Sequence, residues 1–217
     1  MRVTRRELLA GTGVGLAASL AGCAGEVTAE GAAFGAVEAS LSANVQSETG
    51  YTHHRTVEDT VSEQFERFGF TRTVDVTNVI SEYDRAIDLG ILGMRLQAAV
   101  FATLSTPQVR ILTRTFNPVA EMSSLEIAEM IQQRYENIHN ATEDGVFTTE
   151  VAGQSTTVTR FTADAQLIEL GQRIEIYLYV SEAVEVGDDF VLTIAAHPRA
   201  FGRAEDTVSA LLAGIEH

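Results

Sequence analysis

The chain has 217 residues, with 15 arginines and no lysine set against 30 Asp and Glu, for a formal charge of −15. That balance excludes a duplex nucleic-acid binder, which needs clustered cations to release counterions, and the missing lysine excludes Schiff-base chemistry and a phosphate-loop lysine. Three prolines and 45% apolar residues point to a packed core, at a length that suits one domain.

The first element in chain order is an export signal. Arg2, Arg5 and Arg6 make a positive start, and Leu8 to Ala21 carries no charge. That uncharged run is shorter than the about 20 residues needed to span a hydrocarbon core. Thr4-Arg5-Arg6-Glu7-Leu8-Leu9 ahead of Leu20-Ala21-Gly22-Cys23 reads as a twin-arginine signal ending in a lipidation site. Leu20, Ala21 and Gly22 are the residues a lipoprotein signal peptidase would seat, and the Cys23 thiol is the atom that receives lipid. Cys23 is the only cysteine, so a lipidated chain has no disulfide, thiolate metal site or cysteine nucleophile. The division expected is a signal over 1–22, a short tether over 23–31 and one domain over 32–217. The mature protein is expected at the outer face of the cell membrane, tethered by its lipid and not spanning.

Removing residues 1–22 takes away three arginines and Glu7, leaving 12 basic and 29 acidic side chains and a charge of −17. Such a chain repels itself in dilute buffer. In molar salt the Debye length falls to about 3 Å and the repulsion is screened. Acid excess, absent lysine and few aromatics are the composition of a salt-adapted protein.

Ala33 to Ala39 reads as a strand, Ser42 to Thr49 as a short helix closed by Gly50, and Tyr51 to Gln64 as a strand. Arg72 to Ile80 alternates, with Val74, Val76 and Ile80 opposite Thr73, Asp75 and Thr77. Asp88 to Gly93 is a glycine-bracketed loop. Gln97 to Leu104 is a nearly continuous apolar run, as in a strand covered on both faces, and Pro107 ends it. Ser123-Ser124-Leu125-Glu126 is a capping box. Ile127, Ile131, Tyr135 and Ile138 behind it predict an amphipathic helix of about four turns. Phe147 to Val151 and Ser155 to Phe161 flank Ala152-Gly153-Gln154, a hairpin signal. Arg173 to Ser181 alternates, Gly187-Asp188-Asp189 turns, and Phe190 to Ala196 is a strand ended by His197-Pro198. Val208, Leu211, Leu212 and Ile215 predict a final helix, with Glu205 and Asp206 at its dipole-favoured end. The fold expected is α+β: an antiparallel sheet of about six or seven strands flanked by two main amphipathic helices.

No catalytic residue, metal site or cofactor is assigned. The histidines His53, His54, His139, His197 and His217 lack metal-ligand spacing. Glu185, Asp188 and Asp189 crowd one turn without the calcium-loop pattern. No serine sits in a Gly-x-Ser-x-Gly elbow. Asn140-Ala141-Thr142 is a glycosylation sequon, with Asn140 the candidate acceptor. Tyr177 and Tyr179 share a strand face with Glu175. Under a helix they are core, the favoured reading; on an open face they join Arg114, Phe116 and Asn117 as a candidate contact surface.

Leu104-Ser105-Thr106-Pro107-Gln108-Val109, Thr115-Phe116-Asn117-Pro118-Val119 and Gly187-Asp188-Asp189-Phe190-Val191 together resemble a family of halophilic-archaeal twin-arginine lipoproteins defined only as a domain of unknown function. The resemblance implies an isoprenoid ether lipid on Cys23; the family's motifs carry no assigned chemistry, so no functional residue is carried over from it. The element order is also similar to the PsbP-like fold, an analogy that carries no function. Two function classes follow. One is a non-enzymatic, lipid-anchored binding or assembly module with a protein partner at the cell surface. The alternative is an extracytoplasmic hydrolase using Asp, Glu or His.

Overall fold

The computed structural model describes residues 25–27, 31–67, 70–88, 95–111, 114–116, 122–134, 138–167 and 172–217. The antiparallel strands β1 (Gly25–Val27) and β2 (Gly31–Gly35) come first, then β3 (Ser40–Leu41) and α1 (Ala43–Thr49). A meander follows: β4 (Thr52–Arg67), β5 (Phe70–Asp88) and β6 (Arg95–Pro107). The strands β7 (Val109–Ile111) and β8 (Arg114–Phe116) pair in a small ribbon ahead of α2 (Ser124–Arg134). A second meander contains β9 (Ile138–Val151), β10 (Gln154–Leu167), β11 (Gln172–Ser181), β12 (Val184–Val186) and β13 (Asp189–Pro198). A 3₁₀ turn (Arg199–Phe201), α3 (Glu205–Ala213) and β14 (Ile215–Glu216) close the chain.

The two meanders join through antiparallel pairing of β6 with β13, where Thr103 faces Thr193. The long strands run β4-β5-β6-β13-β11-β10-β9 across the sheet. β5 is 19 residues long and changes neighbour along its length. Val79 to Asp88 pairs with β6, whereas Thr73 to Thr77 pairs in parallel with β2. The result is a ten-stranded mixed sheet in which β2 takes the place beside β5 that β6 vacates.

These features correct the expected fold class. The described chain is predominantly β, with ten strands in its main sheet and three short helices; it is not a six- or seven-stranded sheet flanked by two main helices. The excess lies in β1 and β12, where no strand was expected, and in the length of β5 and β9, which run past Arg72–Ile80 and Phe147–Val151; β4 falls where the strand over 51–64 was expected. β4 is exposed along most of its length and is held by ladder bonds and polar cross-strand pairs. Examples are Thr60 with Thr77 (2.8 Å), Ser62 with Asp75 (2.5 Å), and Arg55 with Glu82 (2.8 and 3.0 Å). Such pairs hold an exposed strand on its neighbour without an apolar face to bury. The helices are shorter than predicted. α2 is described over Ser124–Arg134 and Ile138 already belongs to β9; Ile215 leaves α3 to pair with Leu41 in β14. Gly25–Val27, within the stretch expected as a tether, is a strand on β2. Residues 89–93 of the glycine-bracketed loop, and Tyr135, lie outside the described residues.

Local signals hold where sterics and hydrogen bonds act over a few residues. The α1 N-cap is Ser42, whose Oγ accepts from Val45 N, and Gly50 closes the helix at φ 73°. Ser123 and Glu126 form the reciprocal capping box: Glu126 Oε2 accepts from Ser123 N at 2.8 Å, and Glu126 N donates to Ser123 Oγ at 3.3 Å. Ala152 and Gly153 both have positive φ, 47° and 76°, as a tight two-residue hairpin requires.

The sheet has a core on each face. On one, Tyr83, Phe101, Tyr179 and Val191 pack under Leu41, Tyr51 and the Val208, Leu211 and Leu212 stripe of α3. On the other, Phe161, Leu178, Val180 and Leu192 pack under Ile127, Ala128 and Ile131 of α2. No described helix is long and apolar enough to cross a membrane.

Candidate functional site

A cleft of about 320 Å³ opens at the end of the sheet where β2 replaces β6. Four pieces of chain build it. Pro107 ends β6, and Gln108 N donates to Asp188 O at 2.8 Å. The turn between β12 and β13 supplies Gly187, at φ 63°, and then Asp188 and Asp189. β2 ends at Phe34 and Gly35, and the chain then leaves the sheet edge, passes Val37 and crosses the face of β5 and β6. There Thr103 Oγ1 donates to Ala39 O at 2.5 Å and Leu41 N donates to the Tyr83 hydroxyl at 2.9 Å. β14, paired with β3, delivers His217.

The centre of the site is the pair Asp189 and His217. Their side chains are 4% and 8% exposed, with His217 Nε2 2.9 Å from Asp189 Oδ2. The same carboxylate oxygen accepts from Val37 N at 2.7 Å. One carboxylate therefore ties together the crossing segment, the chain's last residue and the start of β13. Phe34, Val37 and Pro107 give the cleft an apolar side; Gln108, Asp188, Asp189 and His217 give it a polar one. None of the residues described as lining it is a serine, threonine, cysteine or lysine, so the Asp–His pair has no side-chain nucleophile to activate there.

The cleft joins two of the motifs singled out in the sequence. Ser105, Thr106 and Pro107 face Val191, Phe190 and Asp189 in register. Asp189 and His217 as a pair escaped the sequence reading, because they lie 28 residues apart with no periodicity linking them. The acids expected to crowd one turn sit on the β12–β13 hairpin and differ in burial: Glu185 and Asp188 are exposed and Asp189 is buried.

Tyr177 and Tyr179 are 8% and 1% exposed, the core placement favoured from the sequence, which removes them from the candidate contact surface. Tyr179 OH accepts from Ala204 N at 3.0 Å, and Arg160 and Arg199 lie 5.8 and 5.7 Å from the Tyr177 ring centre. Buried Arg160 bonds Asp144 Oδ2 at 2.7 Å and pairs with Glu205, clamping α3 to β9 and β10. That hydrogen bond from Arg160 holds the Asp144 carboxyl below the ordinary carboxylate value. Arg114 and Phe116 form β8, of which only the backbone is described, and Asn117 lies outside the described residues. So do Arg5, Arg6, Leu20, Ala21, Gly22 and Cys23. Asn140 is exposed on edge strand β9 at φ 58°, with Nδ2 2.8 Å from Asp164 Oδ2. His197 is 5% exposed. Burial and the neighbouring Arg85 guanidinium hold its ring below the ordinary histidine value, so it is neutral at pH 7. Among the described residues no three His, Cys, Asp or Glu side chains converge as a metal site.

A family model described as a domain of unknown function, DUF6517, matches residues 38–216. No curated protein matches the chain.

Proposed function

We propose, given that the chain belongs to the DUF6517 family, that this member is a lipid-anchored binding or assembly module at the outer face of the cell membrane. The observation that carries the reading is the cleft. It has an apolar side, a polar side held rigid by Asp189 and His217, and no lining nucleophile, which suits recognition better than acyl transfer. The anchor rests on Thr4 to Cys23, with Arg5 and Arg6 directing export and Cys23 taking lipid. The acid excess and missing lysine support a salt-adapted, halophilic-archaeal setting, and the Asn140 sequon supports glycosylation after export.

The test is purification of the lipidated chain from membranes in molar salt, alongside Val37→Asp at the cleft rim, where Val37 is 54% exposed and tolerates a charge. A stoichiometric partner held by the wild type and lost by Val37→Asp supports a binding module. A partner indifferent to Val37→Asp, or none, counts against it. The buried Asp–His pair favours one second reading, a hydrolase in which His217 activates water and Asp189 orients it. On that reading His217→Ala abolishes hydrolysis of activated esters by the purified protein.

A further inference from the structure

We propose that the edge of the sheet formed by β4, β5 and β2 rests on the lipid surface, through an apolar row that ends beside the anchor. The proposal rests on lipidation of Cys23.

Reach alone makes the argument, whatever conformation the residues before Gly25 adopt. Cys23 precedes Gly25 by two residues, and two residues of chain span at most about 7 Å. Gly25 is the Cα partner of Phe34, Phe34 of Val76, and Val76 of Val61. Cross-strand partners stand on the same face of a sheet, so Phe34, Val76 and Val61 form one row across three strands. At a strand spacing of about 4.8 Å, Val61 is about 14 Å from Gly25. A lipid on Cys23 therefore holds the whole row close to the membrane. The row is apolar and open: Val61 is 43% exposed, Val57 on the same face is 36% exposed, and Phe34 and Val76 are half-buried. Asp59, between Val57 and Val61 on the same face, gives no attraction to anionic headgroups, so the occupant is the interfacial part of the bilayer, which takes the valines while the carboxylate stays at the water boundary. Phe34 belongs both to the row and to the cleft, so the cleft opens at the membrane-near end of the molecule.

The chain contains no tryptophan, so one introduced indole is the sole reporter. Lipidated Val61→Trp is compared with lipidated Val146→Trp, in phosphatidylcholine vesicles and molar salt, with and without bromine on the acyl chains. Val146 is 56% exposed on β9, the far edge of the sheet. The expected result is blue-shifted, bromine-quenched emission for Val61→Trp and unshifted, unquenched emission for Val146→Trp. Flotation of both variants with vesicles, lost on Cys23→Ala, reports the anchor separately. Flotation with unquenched Val61→Trp, or with equal quenching at both positions, overturns the apposition alone. Failure to float overturns the anchor and the apposition with it. A blue shift without bromine quenching identifies a protein surface as the cover and also overturns it.

Discussion

A double-mutant cycle on Asp189 and His217 measures whether the cleft is held by the pair at its centre. Asp189 accepts from His217 Nε2 at 2.9 Å and from Val37 N at 2.7 Å, and its side chain is 4% exposed. Hydrogen bonds to charged groups contribute about 1.5–3 kcal/mol each, and water replaces part of the Val37 share, so Asp189→Ala is expected to cost about 2–4 kcal/mol. His217→Ala removes one of the two bonds and is expected to cost about 1–3 kcal/mol. The double variant should be less destabilised than the sum of the singles by about 1–2 kcal/mol, since both singles delete the same bond. For a domain of this size each kcal/mol lowers Tm by about 2–4 °C. The assay is urea unfolding in molar salt followed by circular dichroism, with the denaturant slope checked for constancy. Additivity within about 0.5 kcal/mol would refute the coupling, and with it the view that His217 is fixed by Asp189.

Three further outcomes follow from packing and titration. A Cβ on Gly214 would lie 2.8 Å from Val45 Cβ, at an ordinary negative φ of −89°. Gly214→Ala should therefore lose about 1–3 kcal/mol by overpacking α1 against α3, and Val45→Ala should restore part of it; no rescue in thermal melts would count against that contact. Ser123→Ala should cost about 1 kcal/mol through the lost cap, measured by denaturation. The N–H and O–H of Ser123 lower the Glu126 carboxyl below 4.5, so its contribution is complete above that pH and fades as pH falls through the folded value. A wild-type acid profile unchanged by Ser123→Ala would contradict this. Burial pushes the Tyr51 phenol up to about 12. The unfolded phenol ionises near 10, so stability is flat below that pH and falls above it by up to about 1.4 kcal/mol per pH unit until the folded value is passed. Tyr51→Phe should make that alkaline limb shallower; identical profiles would refute the burial argument.

How much of the molecule was legible in the sequence depended on the range of each signal. Ser42, Gly50, Ser123 with Glu126, and Ala152-Gly153 act through bonds or sterics within a few residues, and each was read at its place. The central strands β6, β11 and β13 were read because burial writes apolar runs into them. Edge strand β9 was underestimated, read only from Phe147 where it begins at Ile138, because exposed strand sequence such as Asn140-Ala141-Thr142-Glu143 is fixed by its partner, not by its own composition. Helix ends failed for a related reason: Ile138 and Ile215 keep helical spacing but are drawn into strands by Ala165 and Leu41. Tyr177 and Tyr179 turned on whether their face was covered, which depends on α3 arriving from the far end of the chain. The pair Asp189 and His217 left no local signal, since it exists only after β14 docks on β3.

The seam between the meanders also sets an order on folding. β6 and β13 meet through residues such as Thr103 and Thr193, ninety positions apart, whereas the hairpins on either side close locally. Contacts of such long separation slow folding toward the millisecond-to-second range. Until β13 has been synthesised, the eight residues Val100 to Pro107 of β6 lack their partner, an open template for another chain. A nascent chain halted before residue 189 should therefore aggregate instead of settling as a smaller domain. A route that exports only folded protein would have to wait for this last seam to close.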